Sequence, residues 1–445
     1  MKRSSAAGYK LDITHRSVFA IAWPTTLAYM STPILGMVDT GVVGRLGDAA
    51  LIGGLAVGAI LFDIVFTTFN FMRASTTGLV AQAFGAGDDE AQQLVLYRSL
   101  LLSVVLGMAT LVLSPLILAA GLWAMDVPES VAAATSAYFV IRILAAPLTL
   151  TNYSVLGWLL GQGRATLGLA LQTLLNGSNI LLSIWLGLTL GWGIEGVAWA
   201  TVTAEALTAT AGLALVSWHH RNQSFLDRSR LLDKVALWRL FAVNRDIMIR
   251  SFCLLFAFAF FTSQGANFGE TTLAANAVLM NFFLVSGYFL DGFATAAESL
   301  AGRAVGRREE QAFKDVVRLT LFWGFVLAVV LLFAFLLFGP SLIDLLTTNY
   351  AVRSQARLYL YWASITALAG VVAFQMDGIY IGATWTRDMR NMMLLSLAVF
   401  LAVWWVSVPL IANHGLWLAL NVFLAIRGIT LYRRLRANRR ATFAG

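Results

Sequence analysis

Long apolar stretches alternate with short polar ones along almost the whole chain. Those near residues 17–44, 50–72, 94–120, 131–155, 165–190, 194–217, 247–266, 271–296, 316–339, 353–378, 389–412 and 414–432 all approach or exceed the roughly 20 residues that carry a helix across a ~30 Å hydrocarbon core. Their apolar residues run all round the helix, without the period-2 alternation of a membrane β-strand. The pattern predicts an all-α polytopic membrane protein with twelve transmembrane helices, numbered as spans 1 to 12. Only a tight turn around Asn413, His414 and Gly415 separates the last two.

The longest polar stretch divides six spans from six. It predicts an N-terminal six-helix lobe over 1–217, a cytoplasmic linker loop over 218–246, and a C-terminal six-helix lobe over 247–445 that ends in a basic cytoplasmic tail. A shift of 221 residues carries Leu79, Ala83, Gly85 and Ala91 onto Leu300, Ala304, Gly306 and Ala312, and carries GWLLG (157–161) onto GIYIG (378–382). A shift of 222 carries Gly47, Asp48 and Leu51 onto Gly269, Glu270 and Leu273. A nearly constant offset at three places indicates duplication, hence two pseudo-symmetric six-helix bundles. Six is even, so the halves share one orientation, and transporters commonly bind substrate between such repeats.

Composition excludes a water-solvated surface. Charged residues make up 12% of the chain and hydrophobic ones 59%, whereas a soluble domain carries about 25% charged residues. The single cysteine, Cys253, excludes a disulfide framework and a thiolate metal site. The net charge of +8 reflects topology and not nucleic-acid binding. All of the 31 Lys and Arg except Arg45, Arg353, Arg357 and Arg142 fall in the tails, in alternate loops or within six residues of them. That asymmetry places both termini in the cytoplasm. Residues 1–16 and the first apolar run show neither a signal-peptide cleavage pattern nor transit-peptide character.

Ionisable residues inside spans are the candidate functional groups, because an unpaired charge in lipid costs several kcal/mol. Asp39 lies in the outer half of span 1, about 9 Å from its end at 1.5 Å per residue. Pro24 and Pro33 precede it in the same span; each removes a helix hydrogen bond, so each marks a static kink or a hinge. At similar depth lie Asn179 and Ser183, four residues apart on one face of span 5, and Thr201 of span 6, with Asn176 one turn further in. These five side chains form a candidate proton- or cation-coupling pocket. The alternative is hydrogen-bonded packing. Deeper in the same half, Asp63, Arg142 and Glu205 read as a buried ion pair that holds structure. In the other half, Asp291, Glu298 and Asp377 are inner-side acids near the ends of spans 8 and 10, placed to meet basic loops.

No enzyme chemistry is legible: there is no Walker A loop, no HExxH and no Gly-x-Ser-x-Gly elbow. The four histidines, His15, His219, His220 and His414, sit at loops or span ends. The chain reads as a transporter rather than an enzyme, without cofactor or metal, working on an ion gradient.

Six segments resemble the multidrug and toxic compound extrusion (MATE) family, in the branch of DNA-damage-inducible protein F (DinF). They are VDTGVVGRLGD (38–48), TTGLVAQAFGAG (76–87), GWGIEGVAWATVTAE (191–205), NRDIMIR (244–250), YFLDGFATAAE (288–298) and MDGIYIGAT (376–384). The resemblance implies antiport of small organic, often cationic, compounds against H⁺ or Na⁺. It also implies that Asp39 is the family's protonation-switched aspartate and that Asn179 and Thr201 match its span-5 and span-6 polar residues. The family's second acid is replaced by Ser183, which favours H⁺ over Na⁺. The resulting expectation is a proton-coupled exporter of amphipathic cationic compounds. It acts as a monomer in a bacterial inner membrane, with the lipid bilayer as its surroundings. A lipid-linked saccharide flippase is the alternative, and a membrane-embedded enzyme a more distant one. A flippase cavity would call for several deep cations, whereas Arg142 stands alone at depth.

Overall fold

The computed structural model describes residues 11–221 and 228–444, and every regular element among them is helical. Twelve helices are long and apolar enough to cross a membrane: His15–Gly44, Ala49–Gly85, Asp89–Met125, Glu129–Gly161, Ala165–Thr189, Gly193–His220, Lys234–Ala266, Glu270–Gly306, Glu310–Leu346, Tyr350–Gly382, Thr386–Ile411 and Asn413–Phe443. They are spans 1 to 12 in order, and the protein is an all-α polytopic membrane protein.

Several helices outrun the apolar stretches that predicted them. Span 2 continues to Gly85, span 4 to Gly161, span 8 to Gly306 and span 12 to Phe443. Polar residues end a hydrophobic run but not a helix. The helix stops where the backbone turns left-handed, at Gly47, Gly87, Gly163 and Gly269 with φ of 75°, 68°, 63° and 92°. The expected linker 218–246 is correspondingly short of loop. Span 6 reaches His220, a short helix covers Arg228–Leu231 and span 7 begins at Lys234, while 222–227 lie outside the described residues. Asp233 caps span 7, accepting from the amides of Val235 and Ala236 at 2.7 and 3.1 Å. The Ala236 and Val235 amides hold its carboxyl below the usual carboxylate range.

Local breaks interrupt three spans. Span 2 turns at Asn70, span 4 tightens to a 3-10 turn over Ile143–Ala145 just ahead of Pro147, and span 5 widens to a π-helix over Ser183–Thr189. Span 1 stays helical through both Pro24 and Pro33.

The chain divides into two compact units. One comprises Met1–Thr26, Ala81–Gly87 and Phe241–Gly445, the other Leu27–Val80 and Asp88–Leu240. Span 1 is therefore shared, and its division falls two residues after Pro24.

In the first unit, Phe261, Phe282, Phe335, Phe400, Trp417 and Phe423 lie in one apolar core. Span 10 is its central helix, with 72% of its apolar window buried against 17% for span 11. Glycine permits that depth: a Cβ on Gly378 or Gly382 would strike the carbonyls of Ala294 or Glu298 on span 8. In the second unit, one apolar core forms around Phe62, Tyr138 and Phe139 and another around Leu96, Val155 and Trp158. There a Cβ on Gly157 or Gly161 would strike the carbonyls of Arg73 or Thr77 on span 2. The shift of 221 relates all four contacts pairwise, so the two halves repeat one packing device.

Candidate functional site

Spans 5 and 6 approach closely through small residues. Gly196 lies against the Leu186 carbonyl, and Gly187 against Val42 of span 1 and Val197 of span 6. The π-helix that starts at Ser183 belongs to the same region, and such widened turns often mark functional sites. This packing brings four of the five predicted pocket residues into one hydrogen-bonded chain. Ser183 Oγ lies 2.8 Å from Asp39 Oδ1 and 3.0 Å from Asn179 Oδ1, and Asn179 Nδ2 donates to Thr201 Oγ1 at 3.2 Å. Asp39 is 9% exposed, Thr201 7%, Asn179 1% and Ser183 0%, so water supplies little of what the chain lacks. Asn176 stands apart: it donates to Ser31 Oγ at 2.6 Å and accepts from Gln172 at 3.4 Å.

A count of protons shows what the chain can do. Thr201 gives its single hydroxyl proton to the Val197 carbonyl at 3.3 Å. Its oxygen therefore accepts from Asn179, which turns Asn179 Oδ1 toward Ser183. An amide oxygen can only accept, so Ser183 must donate to it. A charged Asp39 competes for that same Ser183 proton, whereas a protonated Asp39 donates to Ser183 Oγ and gives every contact its own proton. The length of the chain thus responds to one proton on Asp39.

The deeper layer differs from its prediction. Among the described residues, no ion pair within 4 Å joins Arg142 to Asp63 or Glu205. Arg142 instead donates to Tyr138 Oη at 2.7 Å, with its guanidinium 4.4 Å from the Phe62 ring centroid. Tyr138 stands one helical turn before it on the same face and needs no partner from another span. Asp63 is exposed, and Glu205 accepts from Asn152 Nδ2 at 2.6 Å.

The inner-side acids are not a set. Asp291 is exposed and, because span 8 continues to Gly306, lies about 22 Å of helix rise from that end, far from where the sequence placed it. Glu298 is buried, and its carbonyl packs on Gly382. Asp377 is clamped between Arg250 and Arg427, both reaching Oδ2. Close by in the chain, Asp246 pairs with Arg390 at 2.7 Å. Sequence reasoning grouped Arg250 and Arg427 with the loops, although both fall inside predicted spans, at 247–266 and 414–432. That position was the available signal.

Twelve apolar helices with one packing device repeated in both halves are the architecture of a duplicated polytopic membrane protein. The MatE family model matches residues 24–185 and again 247–411, once in each half. DNA damage-inducible protein F of Escherichia coli is 37% identical over 95% of this chain and 92% of its own length. A probable multidrug resistance protein NorM of Neisseria meningitidis is 24% identical over 79% and 77%. A structure described as the outward-facing conformation of a multidrug resistance MATE family transporter of the MOP superfamily superposes with a TM-score of 0.88, at 17% identity and 96% coverage of both chains. The chain belongs to the multidrug and toxic compound extrusion family. It is an efflux transporter of small organic compounds and an integral multi-pass membrane protein, not an enzyme.

Proposed function

We propose that the chain exports amphipathic cationic compounds in exchange for H⁺, with Asp39 as the group that takes up and releases the coupled proton. The supporting observation is the Asp39–Ser183–Asn179–Thr201 chain, whose hydrogen bonds close fully only with a proton on Asp39. A bound Na⁺ wants several oxygen ligands and a strong local negative charge. This pocket offers one carboxylate, and one of its oxygens already meets Ser183. Cytoplasmic placement of both termini agrees with the Lys/Arg distribution; a monomer in a bacterial inner membrane is proposed with it. Pro24 and Pro33 interrupt the hydrogen-bond ladder of span 1 and are proposed as the points where it bends when Asp39 changes charge.

The test is dye efflux from proteoliposomes carrying either a pH or a Na⁺ gradient. Wild-type protein should respond to the pH gradient, and Asp39→Asn should lose that response while remaining folded. Efflux driven by inward Na⁺ at equal pH with a protonophore present, or full activity of Asp39→Asn, would overturn the reading.

A further inference from the structure

Where spans 9 and 12 carry their basic ends, a groove of ≈ 650 Å³ opens between Lys314–Phe322 and Tyr432–Arg440. Its polar rim holds five cations. Glu310 partly neutralises two of them, meeting Lys314 at 3.0 Å and Arg439 at 3.2 Å. The other three, Arg318, Arg436 and Arg440, are exposed and have no acidic partner among the described residues. The spacing directs them at one another. Arg436 and Arg440 are four apart on span 12, and Lys314 and Arg318 four apart on span 9, so each helix presents a basic pair to the same space. Like charges gathered this way repel unless an anion sits among them. Guanidinium groups match phosphate oxygens in planar, bidentate fashion.

The rest of the lining is apolar. Leu321 and Tyr432 lie one turn or less beyond the cations, and Phe322 is 52% exposed beside them. A free phosphate has no use for these surfaces, but a phosphate that carries acyl chains does. Basic pockets between membrane helices, with apolar flanks running into the bilayer, fit the head groups of acidic lipids. We propose that this groove binds an anionic glycerophospholipid, its phosphate held by Arg318 and Arg436 and its chains lying on Leu321, Phe322 and Tyr432. With the orientation proposed above, the lipid belongs to the cytoplasmic leaflet. The binding itself depends on neither that orientation nor the coupling ion.

The experiment measures lipid retained by the purified full chain, by native mass spectrometry. The probes are dioleoylphosphatidylglycerol, dioleoylphosphatidylcholine and sodium phosphate, added to lipid-free detergent. Wild-type protein should retain the phosphatidylglycerol in preference to the phosphatidylcholine. Each surface cation contributes about a factor of five to such binding, so Arg318→Gln with Arg436→Gln should weaken it about thirtyfold. Lys234→Gln with Arg239→Gln removes the same charge elsewhere and should leave retention unchanged. Three outcomes overturn the proposal: retention unaltered in the groove variant, equal loss in both double variants, or displacement of the lipid by millimolar phosphate. Melting in lipid-free detergent establishes that each variant is folded. Arg440→Gln alone, expected to lose about fivefold, decides the matter if the double variant does not fold.

Discussion

Ser183 carries more of the site's behaviour than its size suggests. It has one proton and two neighbours that can accept it, so it links the charge of Asp39 to the orientation of Asn179. Ser183→Ala is expected to cut that link: export driven by a pH gradient should fall at least tenfold, and the buried acceptors left unpaired on Asp39 and Asn179 should lower stability by about 1–3 kcal/mol. Ser183→Asp places a second acid beside Asp39, and two carboxylates at that distance share a proton. Efflux should then become sensitive to Na⁺; a variant as indifferent to Na⁺ as wild type would contradict the pocket drawn above. Arg142 illustrates the opposite case, a charge whose hydrogen bond comes from its own helix. Tyr138→Phe removes its only hydrogen-bond partner among the described residues and should destabilise the protein by about 1.5–3 kcal/mol. Asp63→Asn should be close to neutral, since no ion pair is lost. Equal destabilisation by the two changes, in thermal unfolding in detergent, would restore Asp63 as the partner of Arg142.

Helices meet in this protein where glycine lets one backbone touch another. A Cβ on Gly378 would strike the Ala294 carbonyl, whereas one on Gly177 meets nothing within 4 Å. Gly378→Ala and its repeat counterpart Gly157→Ala should each lower stability by about 1–3 kcal/mol, the usual effect of overpacking. Gly177→Ala should leave it unchanged or slightly raised, alanine being the better helix former. Melting curves of the three variants decide whether the repeated contacts are as tight in both halves. These glycines stood in the sequence as GWLLG and GIYIG, and their common offset was readable because duplication preserves spacing. The twelve spans were readable for a similarly simple reason: bilayer thickness imposes one length on every crossing. Helix ends were not, because the polar residues between Phe71 and Gly85 neither break nor require a helix. Depth was readable at 1.5 Å per residue, which set Asp39, Asn179, Ser183 and Thr201 at one height. Which side chains face one another depends on rotation about each helix axis. That is why Asn176 was grouped with the chain, and why Arg250 and Arg427 went unnoticed as partners of Asp377.

Across the whole molecule, duplication has kept the scaffold and let the chemistry diverge. The shift of 221 that superimposes the glycine contacts carries Asp39 onto Phe260 and Leu156 onto Asp377. The first half therefore buries an acid among neutral hydroxyls and amides, and the second buries one between two guanidiniums. These arrangements have different consequences for a proton. Neutral partners tolerate either charge state of Asp39 by redistributing hydrogen bonds. Neutralising Asp377 leaves two cations packed together, one of them Arg427 at 1% exposure. Breaking a buried ion pair from one side typically costs 3–5 kcal/mol. The two acids should accordingly separate in experiment. Asp377→Asn should lower the melting temperature markedly, while the export that survives keeps the wild-type dependence on the pH gradient. Asp39→Asn should melt near wild type and lose that dependence. Measuring both properties on both variants is decisive, since each protein controls for the other. If Asp377→Asn melts like wild type but uncouples export from the pH gradient, the second half holds a coupling site of its own and Asp377 is not a structural clamp.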